Sequence, residues 1–221
     1  MSAVLAILWK DLVSEWRSRD RIVAMLLFSL LVVVVFHFAL PAKPGGAPPE
    51  GLPGLLWVAY VFAAILGLNR AFAVELENEA LSGLALVPCD RGFVFLGKAA
   101  ASFLLILVAQ LATAAAFALA FGAPLGRAGI ALAGIAALGA AGLASVGTLF
   151  AAISVRTRYR EVMLPLLLLP LLVPLLLGAV RATAELLEHG RVAFEPIQLL
   201  LVTDAVFLIV SFLGFEYVLD E

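Results

Sequence analysis

The sequence predicts an all-α membrane protein with six transmembrane helices and an N-terminal helix lying in the membrane interface. Three observations predict it. Of 221 residues, 64% are hydrophobic and only 14% charged, against about 45–50% and 25% in soluble domains. The mean hydropathy is +1.14. The apolar residues are also gathered into six runs, each reaching roughly the 20 residues that a helix needs to cross a bilayer. No length remains for a sizeable water-soluble domain, so residues 1–221 read as one transmembrane domain.

Residues 1–21 do not read as a signal peptide, because Asp11, Glu15 and Asp20 interrupt the charged lead and no small-residue cleavage site closes the apolar run that follows. Their period is helical. Leu5, Leu8, Trp9, Leu12 and Trp16 share one face, and Lys10, Asp11, Ser14, Glu15 and Arg17 take the other. Tryptophans on an apolar face opposite charges mark a helix lying on membrane lipid. The six spans follow at 22–40, 52–72, 93–121, 128–155, 162–180 and 197–219. The third and fourth are long enough to tilt or to project beyond the bilayer.

Basic residues orient the bundle. Lys10, Arg17, Arg19, Arg21, Arg70, Arg91, Lys98, Arg156, Arg158 and Arg160 fall on one side, ten in all; Lys43, Arg127, Arg181 and Arg191 make four on the other. The positive-inside rule puts the ten, and both termini, in the cytoplasm. A net charge of −2 offers no basic face for nucleic acid. A single cysteine excludes an internal disulfide framework and a Cys-rich metal site.

Between the second and third spans, residues 73–92 form the most structured connection. Phe72, Leu76, Ala80 and Leu84 recur every four residues, with Glu75, Glu77, Asn78 and Glu79 opposite, and Pro88 ends the pattern. This is either a solvated helix or a docking helix for a cytoplasmic partner. Residues 41–51 are a Pro/Gly linker, and 181–196 read as a short amphipathic turn before the last span.

Within the spans, Gly134, Ala137, Ala141, Ser145, Thr148 and Ala152 make a small-residue stripe suited to close packing inside the bundle or across an oligomer. Pro165, Pro170 and Pro174 punctuate the fifth span, as a hinge or as static kinks. Ionisable residues in the apolar interior are few, and Asp204 and His37 stand out; an unpaired Asp in lipid is expensive, so Asp204 is expected to face the bundle or water, with His37 a partner by shared depth. His37 and His189, in separate segments, are a weak haem- or metal-ligand signal. Gly92 to Lys98 matches a phosphate-loop spacing, but Ala99 stands where that motif needs a hydroxyl. Lys98 is instead expected to snorkel to the headgroups. Ser145 has no evident base for an intramembrane hydrolase, so no catalytic residue is assigned.

LWKDLVSEWRSRD at 8–20, LNRAFAVELENEALSGLALVPCDRGFVFLGKAAASF at 68–103 and LPLLLLPLLVPLLLGAV at 164–180 together resemble the haem exporter protein B family (CcmB) of cytochrome c maturation. The second stretch is the most specific. The resemblance implies an ABC-2-type permease in a bacterial inner membrane, working as a homodimer with a separate ATP-binding subunit and a haem-handling C subunit. It implies no covalently bound cofactor, with haem as a transported or handled ligand. ATP hydrolysis would drive either haem export or release of the haem-loaded chaperone; the weak ligand signal in the spans leans toward release. On this reading Glu75, Leu76, Glu77, Glu79, Ala80 and Leu84 couple the permease to the ATPase. A permease for another substrate is the alternative, and the 68–103 stretch argues against it.

Overall fold

The computed structural model describes residues 3–40, 51–72, 91–122, 125–155, 157 and 159–220. Among them there is helix and no strand. The elements are α1 (Ala3–Ser18), α2 (Asp20–Ala39), α3 (Leu52–Ala71), α4 (Arg91–Phe121), α5 (Leu125–Val155), α6 (Arg160–Leu171), α7 (Val173–His189) and α8 (Phe194–Asp220). Five of these, α2, α3, α4, α5 and α8, are long and apolar enough to cross a membrane. Counted as one broken span, α6 and α7, bent by 63° at their junction, bring the number to six and stand fifth along the chain.

That bend follows from the prolines. Pro170 and Pro174 flank Leu172, where the two helices meet, and each removes a backbone donor that would have continued the ladder. Pro165 lies inside α6. Beyond the break α7 runs on to His189, where Gly190 closes it at φ 67, its N–H bonded to the Leu186 carbonyl. The amphipathic turn read at 181–196 is therefore for the most part the continuation of α7. The sequence pattern missed this because Arg181 and Glu185 interrupt the apolar run, while Ala182, Thr183 and Leu186 keep the buried face going.

Helices α3 and α5 are enclosed by the others, whereas most of the surface of α2 and α8 is uncovered. Leu27, Leu31, Val34 and Phe38 on α2 and Leu201, Val206, Ile209 and Leu213 on α8 face outward. In water such a surface would aggregate; in lipid it is solvated. The core gathers around α3, with Leu56, Trp57, Tyr60, Ala64 and Leu68 all buried. Small residues on α5 admit its neighbours. The Trp57 ring lies on Gly139, and Leu175 and Asp204 close on Gly142, where a Cβ would collide with both. Of the small positions read from the sequence, Ser145, Thr148 and Ala152 are buried, while Gly134 has open space beside it.

Candidate functional site

The antiparallel helices bring charged residues together at the end of the bundle that carries α1. The corner between α1 and α2 turns at Arg19, whose φ of 58 is unusual for a residue with a side chain. The Glu15 carboxylate holds that corner by accepting a hydrogen bond from the Ile22 N–H at 2.9 Å. Arg21, buried at the start of α2, donates from Nε to the Gly67 carbonyl of α3 at 3.2 Å and from its guanidinium to Ser102 Oγ of α4 at 3.4 Å.

Lys98 is the centre of this end. It is only 2% exposed, and its Nζ lies 3.1 Å from Asp11 Oδ2 on α1 and 4.7 Å from the ring centre of Phe72. Asp11 also meets Lys10 at 3.2 Å. The snorkelling read for Lys98 from its position near a span end is thus replaced by burial. Asp11 supplies a counter-charge to the buried ammonium, and the Phe72 face adds a cation–π contact. One residue earlier, Gly97 lets α1 come close: a Cβ there would lie 2.8 Å from Ile7 Cβ.

The same contacts define how α1 is turned. Ile7, Asp11 and Glu15, one turn apart, face the bundle, and Ile7 and Glu15 are buried. Trp9 and Trp16 project outward, 66% and 77% exposed, and Leu12 is half-buried between the two faces. The charged face read from the sequence therefore carries the docking contacts. Sequence pattern missed it because the partner, Lys98, is 87 residues away. Arg91, at the start of α4, reaches the Glu216 carbonyl near the end of α8 at 3.3 Å.

Residues 73–90, with Glu75, Leu76, Glu77, Glu79, Ala80 and Leu84 read as coupling positions, lie outside the described residues. Their flanks are within them: Phe72 under the Lys98 ammonium, and Arg91 on the end of α8.

Polar groups also lie deeper. Trp57 Nε1 donates to Thr183 Oγ1 at 2.9 Å, tying α3 to α7, and Thr183 in turn donates to the Ala179 carbonyl. Thr113 donates to Ser29 across α4 and α2 at 2.8 Å. Asp204, in α8, has both carboxylate oxygens enclosed with no hydrogen-bond partner among the described residues; it packs on Gly142. His37 stands elsewhere, with its ring against Phe38 and Phe121, so the pairing by shared depth does not form. His189 lies 3.3 Å from Glu185, which Arg191 approaches at 3.7 Å. Among the described residues no three His, Cys, Asp or Glu side chains gather as metal ligands would.

Five long apolar helices and one broken pair, packed on small residues, define a polytopic helical membrane protein, an architecture consistent with a helical permease. Residues 2–218 match the family model described as CcmB protein, and the chain belongs to that family. It is similar to "Heme exporter protein B" of Paracoccus denitrificans, 30% identical over 201 residues that span 91% of this chain and 89% of that protein. The protein of the same name from Rhodobacter capsulatus is 31% identical over 191 residues, 84% of this chain and 82% of the relative. The one from Pseudomonas aeruginosa is 30% identical over 157 residues, 69% and 70% respectively.

Proposed function

We propose that this protein is the non-catalytic membrane subunit of an ATP-driven transporter that serves haem delivery to c-type cytochromes. The observation that carries the reading is the match of residues 2–218, nearly the whole chain, to the CcmB family. Work then comes from a separate ATP-binding subunit, docked on the cytoplasmic face through the 73–92 connection, and a haem-handling C subunit receives its effect. Glu75, Glu77 and Glu79 give the connection a negative face, and such charges orient a docking contact even where each pair adds little affinity. Two copies of the chain form the working unit in a bacterial inner membrane, with both termini cytoplasmic.

The step driven by ATP is release of the haem-loaded chaperone from the C subunit. Asp204 and the paired hydroxyls of the interior supply no axial ligand for haem iron. His37, which carries a ligand nitrogen, is an exposed residue near one end of α2, wedged between phenylalanine rings. The test is reconstitution of the complex in vesicles with ATP, following haem crossing the membrane and chaperone leaving the C subunit as separate signals. Chaperone release without haem crossing is the expected result. Haem crossing at the rate of ATP hydrolysis would replace release by export.

A further inference from the structure

We propose that the corner between α1 and α2 is a binding site for the headgroup of an anionic phospholipid, held by Arg17 and Arg19 beside Trp16. Such a site would serve the protein whatever the complex transports. Along α1 and the corner, acids and bases are interspersed, so the helical period alone gives a polar face of mixed sign. The structure separates the charges. Asp11 and Glu15 are turned to the bundle, Asp11 at 3.1 Å from Lys98 and Glu15 on the Ile22 N–H at 2.9 Å. Arg17 and Arg19 stand on the exposed side, and no carboxylate among the described residues pairs with either. Of the acids in residues 3–20, only Asp20 is exposed with them. The face turned away from the protein is therefore basic.

The tryptophans set the depth of these guanidiniums and the kind of partner. Trp9 and Trp16 are 66% and 77% exposed, and indoles on an outward face settle at the headgroup level of a bilayer. An acidic protein surface would leave them wet. Arg19 Cζ lies 5.7 Å from the centre of the Trp16 ring. A guanidinium over an indole keeps its N–H edges for an oxyanion, and a phosphate accepts two of them at once. Arg17, next to Trp16 in the chain, adds a second charge at the same corner. Each basic residue at such a surface strengthens attraction to anionic lipid about fivefold. A zwitterionic headgroup offers the same phosphate with its charge cancelled.

The experiment reads the lipid beside α1. The full chain carrying Trp57→Phe, with Trp9 and Trp16 as its emitters, is placed in phosphatidylcholine nanodiscs. A minor share of the lipid is then phosphatidylglycerol or phosphatidylcholine, brominated near the headgroup in either case. The ratio of the two quenching signals within one protein reports the preference at this corner. Phosphatidylglycerol should quench more, and added salt should shrink the difference. Arg17→Gln, which leaves the Arg19–Trp16 stack in place, should lower the preference about fivefold. Arg17→Gln with Arg19→Gln should abolish it. Equal quenching by the two lipids in the parent overturns the proposal and leaves the arginines to an acidic protein surface. A preference that survives the double replacement overturns it as well, because the anionic lipid then sits on other residues.

Discussion

An alanine at Gly142 would drive its Cβ into Leu175 and Asp204 at once. Leu175 is fully buried and must shift together with the Asp204 carboxylate, and overpacking of this sort costs about 1–3 kcal/mol. Gly142→Ala should therefore lower the melting temperature of the purified protein by several degrees, whereas Gly134→Ala, with open space beside it, should leave it unchanged. Equal effects at the two positions would contradict the packing described. Asp204 calls for a different measurement. Its carboxylate is enclosed and unpartnered among the described residues, an arrangement that stability alone does not favour. Asp204→Asn fills the same space without a charge, so the protein should melt no lower, while cytochrome c yield should drop several-fold. Undiminished yield would assign Asp204 no part in the transporter's work.

At the scale of elements, α1 and the α6–α7 break are where pattern and structure part. The period of α1 separates Trp9 and Trp16 from Asp11 and Glu15 correctly, but it says nothing about which face meets the protein. That choice depends on Lys98 and on the gap at Gly97, both remote in sequence. The tryptophans test the orientation. With Trp57→Phe, Trp9 and Trp16 are the two left of the three in the chain. Lipids brominated near the headgroup should quench them more strongly than lipids brominated at the chain end; the reverse would take α1 out of the interface. In the fifth crossing the prolines announce distortion, yet Pro165 sits within α6 while Pro170 and Pro174 bracket the break. Beyond the break, Leu175 packs on α5 at Gly142 and Gly178 on the start of α8 at Pro196 and Leu200, contacts remote in sequence. Pro170→Ala with Pro174→Ala should straighten this crossing and lower cytochrome c yield without loss of permease from the membrane. Unaltered yield would make the break a static kink.

For the whole molecule, the fold class was legible because lipid imposes a simple demand. Every crossing must satisfy its backbone internally and present apolar side chains outward, and both requirements are written in long apolar runs. The candidate site was less legible, since burial of Lys98, the Trp57–Thr183 bond and the isolation of Asp204 from His37 depend on which helices become neighbours. The proposed orientation rests on ten basic residues against four. Cysteines at positions 2 and 221 should accordingly react with an impermeant maleimide only after the inner face is opened; labelling in intact cells would reverse the orientation.

The central claim is that this permease receives its work from an ATP-binding partner through the 73–92 connection. Replacing Glu75, Glu77 and Glu79 together by lysine reverses the face proposed to meet that partner, and capture of the ATPase subunit by affinity-tagged permease reads the contact directly. The account predicts that the triple variant reaches the membrane in normal amount but loses most of the captured ATPase, with cytochrome c yield falling alongside. Full capture and full yield would contradict it and leave the connection a solvated turn between two spans.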